Sequence, residues 1–235
     1  MNIIVTGASR GIGFETALLL CGQGHYVIAC GRNGKGLEKL QSACRAANSD
    51  SNLMLLSGDL TSEKDLQELV YTARSLNSRI DVLINNAGAI LNKEFERISP
   101  GELRQVYEVN VFAPFRLIQL LTPLMGGDHV SHIVNISSMG AVQGSSKFPG
   151  LSAYTSSKAA IATLSEMLAE ELKGKNIRVN CLALGAAQTE MLETAFPGYK
   201  APLSAQEMSA WITWFALNGH VYFNGKILPV GVSTP

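Results

Sequence analysis

The chain is short of charge and carries no excess of either sign. Of its 235 residues only 16% are charged, and 19 basic residues are balanced by 19 acidic ones. Recognition of nucleic acid or an anionic membrane through an overall field needs surplus positive charge, and no basic run supplies a local substitute. Neither partner is expected. Also missing is any uncharged apolar stretch long enough to cross a bilayer. Cys21, Cys30, Cys44 and Cys181 lack CxxC or other metal spacing, and His25, His129, His132 and His220 lack it too, so no metal site is expected. Isolated cysteines of this kind read as small core residues of a reducing compartment. A first strand expected from Asn2 leaves no room for a leader ahead of the fold, which makes the cytoplasm the expected location. No internal repeat, low-complexity segment or linker interrupts the chain.

What is present is apolar: 46% of the residues are hydrophobic, enough for a large covered core. Strands are expected at Asn2 to Val5, His25 to Cys30, Leu53 to Leu56, Asp81 to Ile84, Ser131 to Ile136, Ile177 to Leu182 and Lys226 to Val230. Helices are expected after Gly13, over Leu37 to Ala47, Lys64 to Leu76, Pro100 to Leu121, Ala153 to Leu172 and Ala205 to Leu217, with a loop from Ser137 to Ser152. Apolar strands alternating with helices give a parallel sheet covered on both faces. The expected architecture is therefore a Rossmann-like, doubly wound α/β sheet of about seven strands. It forms one domain over residues 1–235, with its crevice at the carboxyl ends of the strands.

Between the first strand and helix lies Thr6-Gly7-Ala8-Ser9-Arg10-Gly11-Ile12-Gly13. Gly7 and Gly11 can take backbone angles closed to other residues, and Gly13 permits close approach of helix and strand. Such a turn aims unpaired N–H groups and the positive helix end at an anion, the expected one being a dinucleotide pyrophosphate. Further along, Tyr154 and Lys158 stand four residues apart on one helix face. A cation beside a phenol stabilises the phenolate and lowers its ordinary value of about 10, which would bring Tyr154 into working range as an acid or base. Alone, the same spacing fits a solvated helix face.

Thr6 to Gly13, Asn85 to Gly88, Asn110, Ser137-Ser138 and Tyr154 with Lys158 occur in one order, each beside the same expected edge of the sheet. In this combination the chain resembles the short-chain dehydrogenase/reductase family over essentially its whole length. The resemblance implies that Tyr154 protonates a carbonyl oxygen during reduction, or acts as base in the reverse direction. Lys158 would lower its pKa and hold the nicotinamide ribose. Ser138, the second serine of Ile136-Ser137-Ser138, would hydrogen-bond the carbonyl oxygen, with Ser137 as the alternative. Asn110 would hold a water linking Lys158 to solvent, and it also reads as a helix-kink residue. Cofactor contacts are implied for Gly7, Ser9, Arg10, Gly11, Ile12 and Gly13 in the turn and for Asp59 at the adenine. Asn86 falls on the adenosine side and in sheet packing, and Thr189 at the nicotinamide amide. Leu60, Ala87, Gly88 and Gly185 stand beside them. Asp59 also reads as a helix-capping acid before Thr61.

An NAD site would normally place an acid at the end of the second strand, but that end reads Ala29-Cys30-Gly31-Arg32-Asn33, and the next acid is Glu38. Arg32 offers a planar fork to a 2'-phosphate and Arg10 a second cation, so NADP(H) is the expected cofactor. The chain departs from the family pattern at Leu184-Gly185, where Pro-Gly is usual, and at Val230-Gly231-Val232, where Asp-Gly-Gly is usual. Its lid segment, Thr189 to Ser204, is short, which predicts an open or small pocket, whereas the loop between Ser138 and Tyr154 is longer than is common. Met139, Val142, Phe148, Leu151, Met191, Leu192, Phe196, Pro197 and Tyr199 in these segments point to a small, neutral carbonyl or alcohol substrate. Alternatives are a 3-oxoacyl-thioester reductase, with Lys173 and Lys175 meeting an acidic carrier, and a cofactor-binding regulator with little turnover. The resemblance also implies a homodimer or homotetramer built on the long helices around Asn110 and Tyr154.

Overall fold

A computed structural model of the chain describes residues 1–232. β1 (Asn2–Thr6) leads into α1 (Gly11–Gly22), and the alternation continues through β2 (Tyr26–Gly31), α2 (Gly34–Ala47), β3 (Leu53–Ser57), α3 (Glu63–Ser75) and β4 (Val82–Asn85). Then come α4 (Pro100–Tyr107), α5 (Ala113–Leu121), β5 (Ser131–Ser138), α6 (Ser152–Glu171) and β6 (Ile177–Leu184). A two-residue strand β7 (Ala187–Gln188), a short helix α7 (Glu190–Ala195) and a partner strand β8 (Leu203–Ser204) precede α8 (Ala205–Asn218) and β9 (Ile227–Val230).

Seven strands form one parallel sheet in the order β3-β2-β1-β4-β5-β6-β9, the expected doubly wound architecture. The chain reverses direction across the sheet between β1 and β4, and that switch point opens a crevice at their carboxyl ends. Alternation along the strands fills both faces. Ile3, Val5, Val27 and Ile84 pack with α1, α2 and α8 on one side, while Ile4, Ile28, Leu83 and Ile133 pack with α3, α5 and α6 on the other. Among the described residues no helix is long and apolar enough to cross a membrane.

Several strands run beyond their expected ends. β5 continues to Ser138 and β6 to Leu184 because Ser137 pairs with Ala183 and Ser138 with Leu184. The serines therefore stand on the rigid end of a central strand, not in a loop. α2 starts at Gly34, three residues early, because the Asn33 side chain accepts from Gly36 N at 3.2 Å and outweighs the two glycines. α8 starts where expected, sealed by a reciprocal capping box: Ser204 Oγ accepts from Glu207 N at 3.1 Å, and the Glu207 carboxylate accepts from Ser204 N at 2.8 Å.

The expected continuous helix from Pro100 to Leu121 is broken by a π-helical stretch, Glu108–Phe112, in which the Ala113 N–H reaches back to the Glu108 carbonyl. The sequence contains the cause. In an α-helix the Asn110 carbonyl would accept from residue 114, but Pro114 has no N–H. The ladder widens there, and the kink role read for Asn110 belongs to the stretch that carries it.

His132, expected near a strand start, is the second residue of β5 and almost fully buried. Its Nδ1 lies 2.9 Å from the Ala216 carbonyl and its Nε2 lies 3.0 Å from Asn180 Nδ2. A carbonyl only accepts and an amide nitrogen only donates, so the ring is the neutral Nδ1–H tautomer. Burial holds its pKa down at about 4. This histidine ties β5 to α8 and β6 and has no part in the crevice.

Candidate active site

The crevice is a cavity of about 670 Å³ along the carboxyl edge of the sheet, within the range of small-molecule sites. Its floor at one end is the glycine turn. Gly7 (φ +70°) and Gly11 (φ +56°) occupy the left-handed region, and a Cβ on Gly13 would collide with the Asn86 amide and the Gly7 carbonyl. Thr6 Oγ1 accepts from Asn86 N at 3.1 Å and Ala87 N at 3.0 Å, while Asn86 Nδ2 donates to Thr6 O at 3.0 Å. The ends of β1 and β4 are thereby fastened together. The conformation and the absence of Cβ atoms fit a cradle for a dinucleotide pyrophosphate at the amino end of α1.

Gly7, Ser9, Arg10, Gly11, Ile12, Gly13, Arg32, Asp59, Leu60, Asn86, Ala87, Gly88, Ser138, Tyr154, Lys158, Gly185 and Thr189 all line this one cavity. Of the catalytic and cofactor residues singled out in the sequence, only Asn110 stands back from it; of the apolar residues expected to cover the pocket, Val142 and Pro197 do not line it. Arg32 Nη1 lies 3.9 Å from Asp59 Oδ2, and Asp59 Oδ1 accepts from the backbone and hydroxyl of Thr61 at 3.0 and 2.9 Å. Capping of α3 falls to Ser62, not to Asp59.

At the other end, α6 and β5 present the chemical groups. α6 approaches β5 closely because its inward positions are small: Ala153, Ser157, Ala162 and Ser165 are buried. A chain of buried polar groups fixes the approach, from Asn85 Nδ2 to Asn135 Oδ1 at 2.8 Å and from Asn135 Nδ2 to Ser165 Oγ at 2.9 Å. The two candidate serines have different occupations. Ser137 Oγ donates to the Lys158 carbonyl at 2.6 Å and is buried, whereas the Ser138 hydroxyl faces the Tyr154 phenol. Behind Lys158, Asn110 Oδ1 accepts from Ala89 N at 2.8 Å, and its Nδ2 donates to Ala89 O and Ser157 Oγ, each at 2.9 Å. Gly88 leaves the gap between the Lys158 ammonium and Asn110: a Cβ there would sit 3.4 Å from Lys158 Nζ and 3.5 Å from Asn110 Oδ1.

The electrostatics differ from the expectation that Lys158 lowers the phenol's pKa. Burial pushes Tyr154 above its ordinary value, and the Ser138 hydroxyl pulls the other way. Lys158 Nζ donates to the Ile136 carbonyl at 2.8 Å and lies 6.0 Å from the centre of the Tyr154 ring. A main-chain carbonyl thus takes one of the ammonium's donors. Burial lowers Lys158 itself to about 8, against a raising influence of the neighbouring Cys181 thiol. Tyr154 is therefore a protonated donor at neutral pH, and the ammonium is the group nearer to titrating.

Two segments cover the crevice, with Met139, Phe148 and Leu151 from the β5–α6 loop and Met191, Leu192, Phe196 and Tyr199 from the lid. Despite the lid's shortness its helix α7 is anchored at both ends: Arg10 Nη1 meets Glu190 Oε2 at 2.9 Å, and Asn92 Nδ2 donates to the Ala195 carbonyl at 2.8 Å. Lys147 closes the β5–α6 loop on itself through Val142 O and Ser145 and offers the crevice no cation. Leu184 forms the inner end of β6, and Gly185 N extends the pairing to Val230 O at 2.8 Å, so the altered Leu-Gly and tail segments brace one another. Sequence reasoning missed Glu190, Asn92 and Gly36, at which a Cβ would strike the Ser9 carbonyl. Only Gly36 had a local signal, the Asn33-Gly34-Lys35-Gly36 cap; the others act between segments distant in sequence.

Fold and crevice together define a dinucleotide-binding oxidoreductase class. The family model described as short chain dehydrogenase matches residues 1–200, and the chain belongs to the short-chain dehydrogenase/reductase family. Among its relatives, Nodulation protein G of Rhizobium sp. is 34% identical over 97% of this chain and 94% of its own length. The 3-oxoacyl-[acyl-carrier-protein] reductase FabG of Thermotoga maritima is 32% identical over 87% of this chain and 78% of its own length. The solved Pseudomonas aeruginosa RhlG/NADP active-site complex superposes with a TM-score of 0.85 at 28% identity, covering 98% of this chain and 94% of that one.

Proposed function

We propose that the protein is an NADP(H)-dependent oxidoreductase acting on a small, neutral carbonyl or alcohol. The observation that carries this reading is the union, in one cavity, of the glycine cradle with the Ser138, Tyr154 and Lys158 cluster under an apolar cover. A nicotinamide, when bound, supplies or accepts the hydride. Gly7 to Gly13 would hold the pyrophosphate, Arg32 and Arg10 the 2'-phosphate, and Lys158 the adjacent ribose. Ser138 orients the substrate oxygen through its hydroxyl, and Tyr154 delivers a proton to that oxygen in reduction or removes it in oxidation. Asn110, hydrogen-bonded to Ala89 and Ser157, holds the helical break beside Lys158 in place. Met139, Phe148, Leu192 and Phe196 exclude water and favour an uncharged substrate.

The direct test is a panel of aldehydes, ketones and alcohols followed by NADPH and NADH absorbance. Turnover on neutral members supports the reading. Tight NADPH binding with no turnover across the panel would instead favour a regulatory protein. A 3-oxoacyl thioester is the second reading, supported by the Thermotoga relative. Against it, Lys173 and Lys175 follow the far end of α6, about 28 Å from Tyr154 at 1.5 Å per residue. They are poorly placed to seat a carrier at the crevice mouth.

For the cofactor, Arg32→Asp removes a charge-assisted contact worth about 1.5–3 kcal/mol. NADPH should bind roughly 10- to 100-fold more weakly, with NADH little changed; equal losses for both cofactors would remove Arg32 from the phosphate site.

The assembly is proposed to be a homodimer or homotetramer. Leu103, Phe112, Phe115 and Met167 are exposed on α4, the π stretch, α5 and α6, apolar side chains that such an interface would cover. Light scattering should give a multiple of 25.2 kDa, and Phe115→Glu should shift it toward the monomer. A monomeric parent at tens of micromolar would refute this.

A further inference from the structure

We propose that Glu190, the first residue of the lid helix, sets cofactor selectivity by competing with the 2'-phosphate for Arg10. The inference rests on the NADP(H) reading above and extends it to a residue that has no role there. Arg10 precedes α1 in an extended conformation (φ −167°, ψ 169°) and makes no side-chain cap to that helix. Its guanidinium instead crosses to α7, where Nη1 meets Glu190 Oε2 at 2.9 Å. The backbone sets up this meeting: Thr189 caps α7 by accepting from Leu192 N, and its methyl group faces Gly11, 3.4 Å from where a Cβ there would sit. Both partners line the crevice.

The two arginines of this end differ in how their carboxylates are held. Asp59, beside Arg32, is fixed by the N–H and hydroxyl of Thr61. Glu193, the other lid acid, is taken by the Gly198 N–H at 3.1 Å. The Glu190 carboxylate has Arg10 as its one hydrogen-bonding partner among the described residues, and its side chain is 71% exposed. An ion pair this exposed is weak and exchangeable. A 2'-phosphate, with close to two negative charges and three acceptor oxygens, displaces such a carboxylate from the guanidinium. NADH has no such group and leaves the pair intact. Glu190 therefore lowers affinity for NADPH selectively, and NADPH binding frees the amino end of the lid while Asn92 still holds its carboxyl end.

Glu190→Gln keeps the size of the side chain and removes the competing charge. Cofactor fluorescence or calorimetric titration of the variant should show NADPH binding about two- to fivefold tighter at low salt, and NADH unchanged. The difference should shrink at about 0.5 M NaCl, where screening is strong. It should vanish when the substitution is made in an Arg10→Gln background. Unchanged NADPH affinity, equal tightening of both cofactors, or persistence of the effect without Arg10 overturns the proposal. Failure of the underlying cofactor reading gives a separate result: the parent binds NADH as well as NADPH, and Arg10→Gln alters neither.

Discussion

Tyr154→Phe should lower carbonyl reduction by roughly 10²- to 10⁴-fold while the protein keeps its fold and binds NADPH nearly as the parent does. The substitution removes one oxygen from a ring that remains seated on the first turn of α6, so the apolar packing is conserved. What is lost is the proton donor that faces Ser138. Because burial holds the phenol in its protonated form, the parent carries a ready donor throughout neutral pH, and the variant leaves the substrate oxygen to water. Thermal unfolding and NADPH titration should be close to parental, separating chemistry from folding and binding. Activity retained within a few-fold would refute the acid–base role outright. A Ser138→Ala variant should fall less far, since Tyr154 would still deliver the proton to a less well-held oxygen.

How much of this could be read in the sequence depends on how local each cause is. The glycine turn was legible because most of its constraints are local: the left-handed angles at Gly7 and Gly11 and the approach of Gly13 to the Gly7 carbonyl lie within the motif, and only the crowding of Gly13 against Asn86 comes from a distant segment. The sheet was legible because strands buried on both faces are uniformly apolar. The π break was hidden by the helical pattern on either side, although Pro114 four residues after Asn110 signals it once hydrogen bonds are counted. The extra length of β5 and β6 follows from pairing between residues about 46 positions apart, as Ser138 with Leu184, and local pattern carries no trace of it. The lid is the extreme case. Its anchors join Arg10 to Glu190 and Asn92 to Ala195, contacts set by topology and not by spacing. The same limit explains the reversed emphasis in the Tyr154–Lys158 pair. Four-residue spacing puts Tyr154 and Lys158 on one face, but the capture of the ammonium by the Ile136 carbonyl appears only when β5 is in place.

That capture leads to the second large effect, on stability and activity in opposite directions. Lys158 is 5% exposed, and its pKa is brought from 10.5 to about 8 by burial. Below about pH 8 both folded and unfolded chains bind the proton, and the folded state bears the full cost of the buried charge. Between about 8 and 10.5 the unfolded chain keeps a proton that the folded protein has released, so stability rises with pH through this window. A shift of this size corresponds to about 3 kcal/mol. Lys158→Met fills the same channel without a charge and gives up the charge-assisted hydrogen bond to Ile136, worth about 2 kcal/mol. The variant should therefore be about 1 kcal/mol more stable than the parent at pH 7 in urea unfolding, with the advantage fading as pH approaches 10. Its kcat/KM for carbonyl reduction should nevertheless fall by about 10²-fold or more, because the cation proposed to hold the ribose is gone. A less stable variant would show that Lys158 is held by interactions stronger than the desolvation it suffers, and a gain independent of pH would show that the gain does not come from relieving a buried charge. The opposite outcome, stability gained and activity lost, would mark the ammonium as a group kept in the core for its chemistry alone.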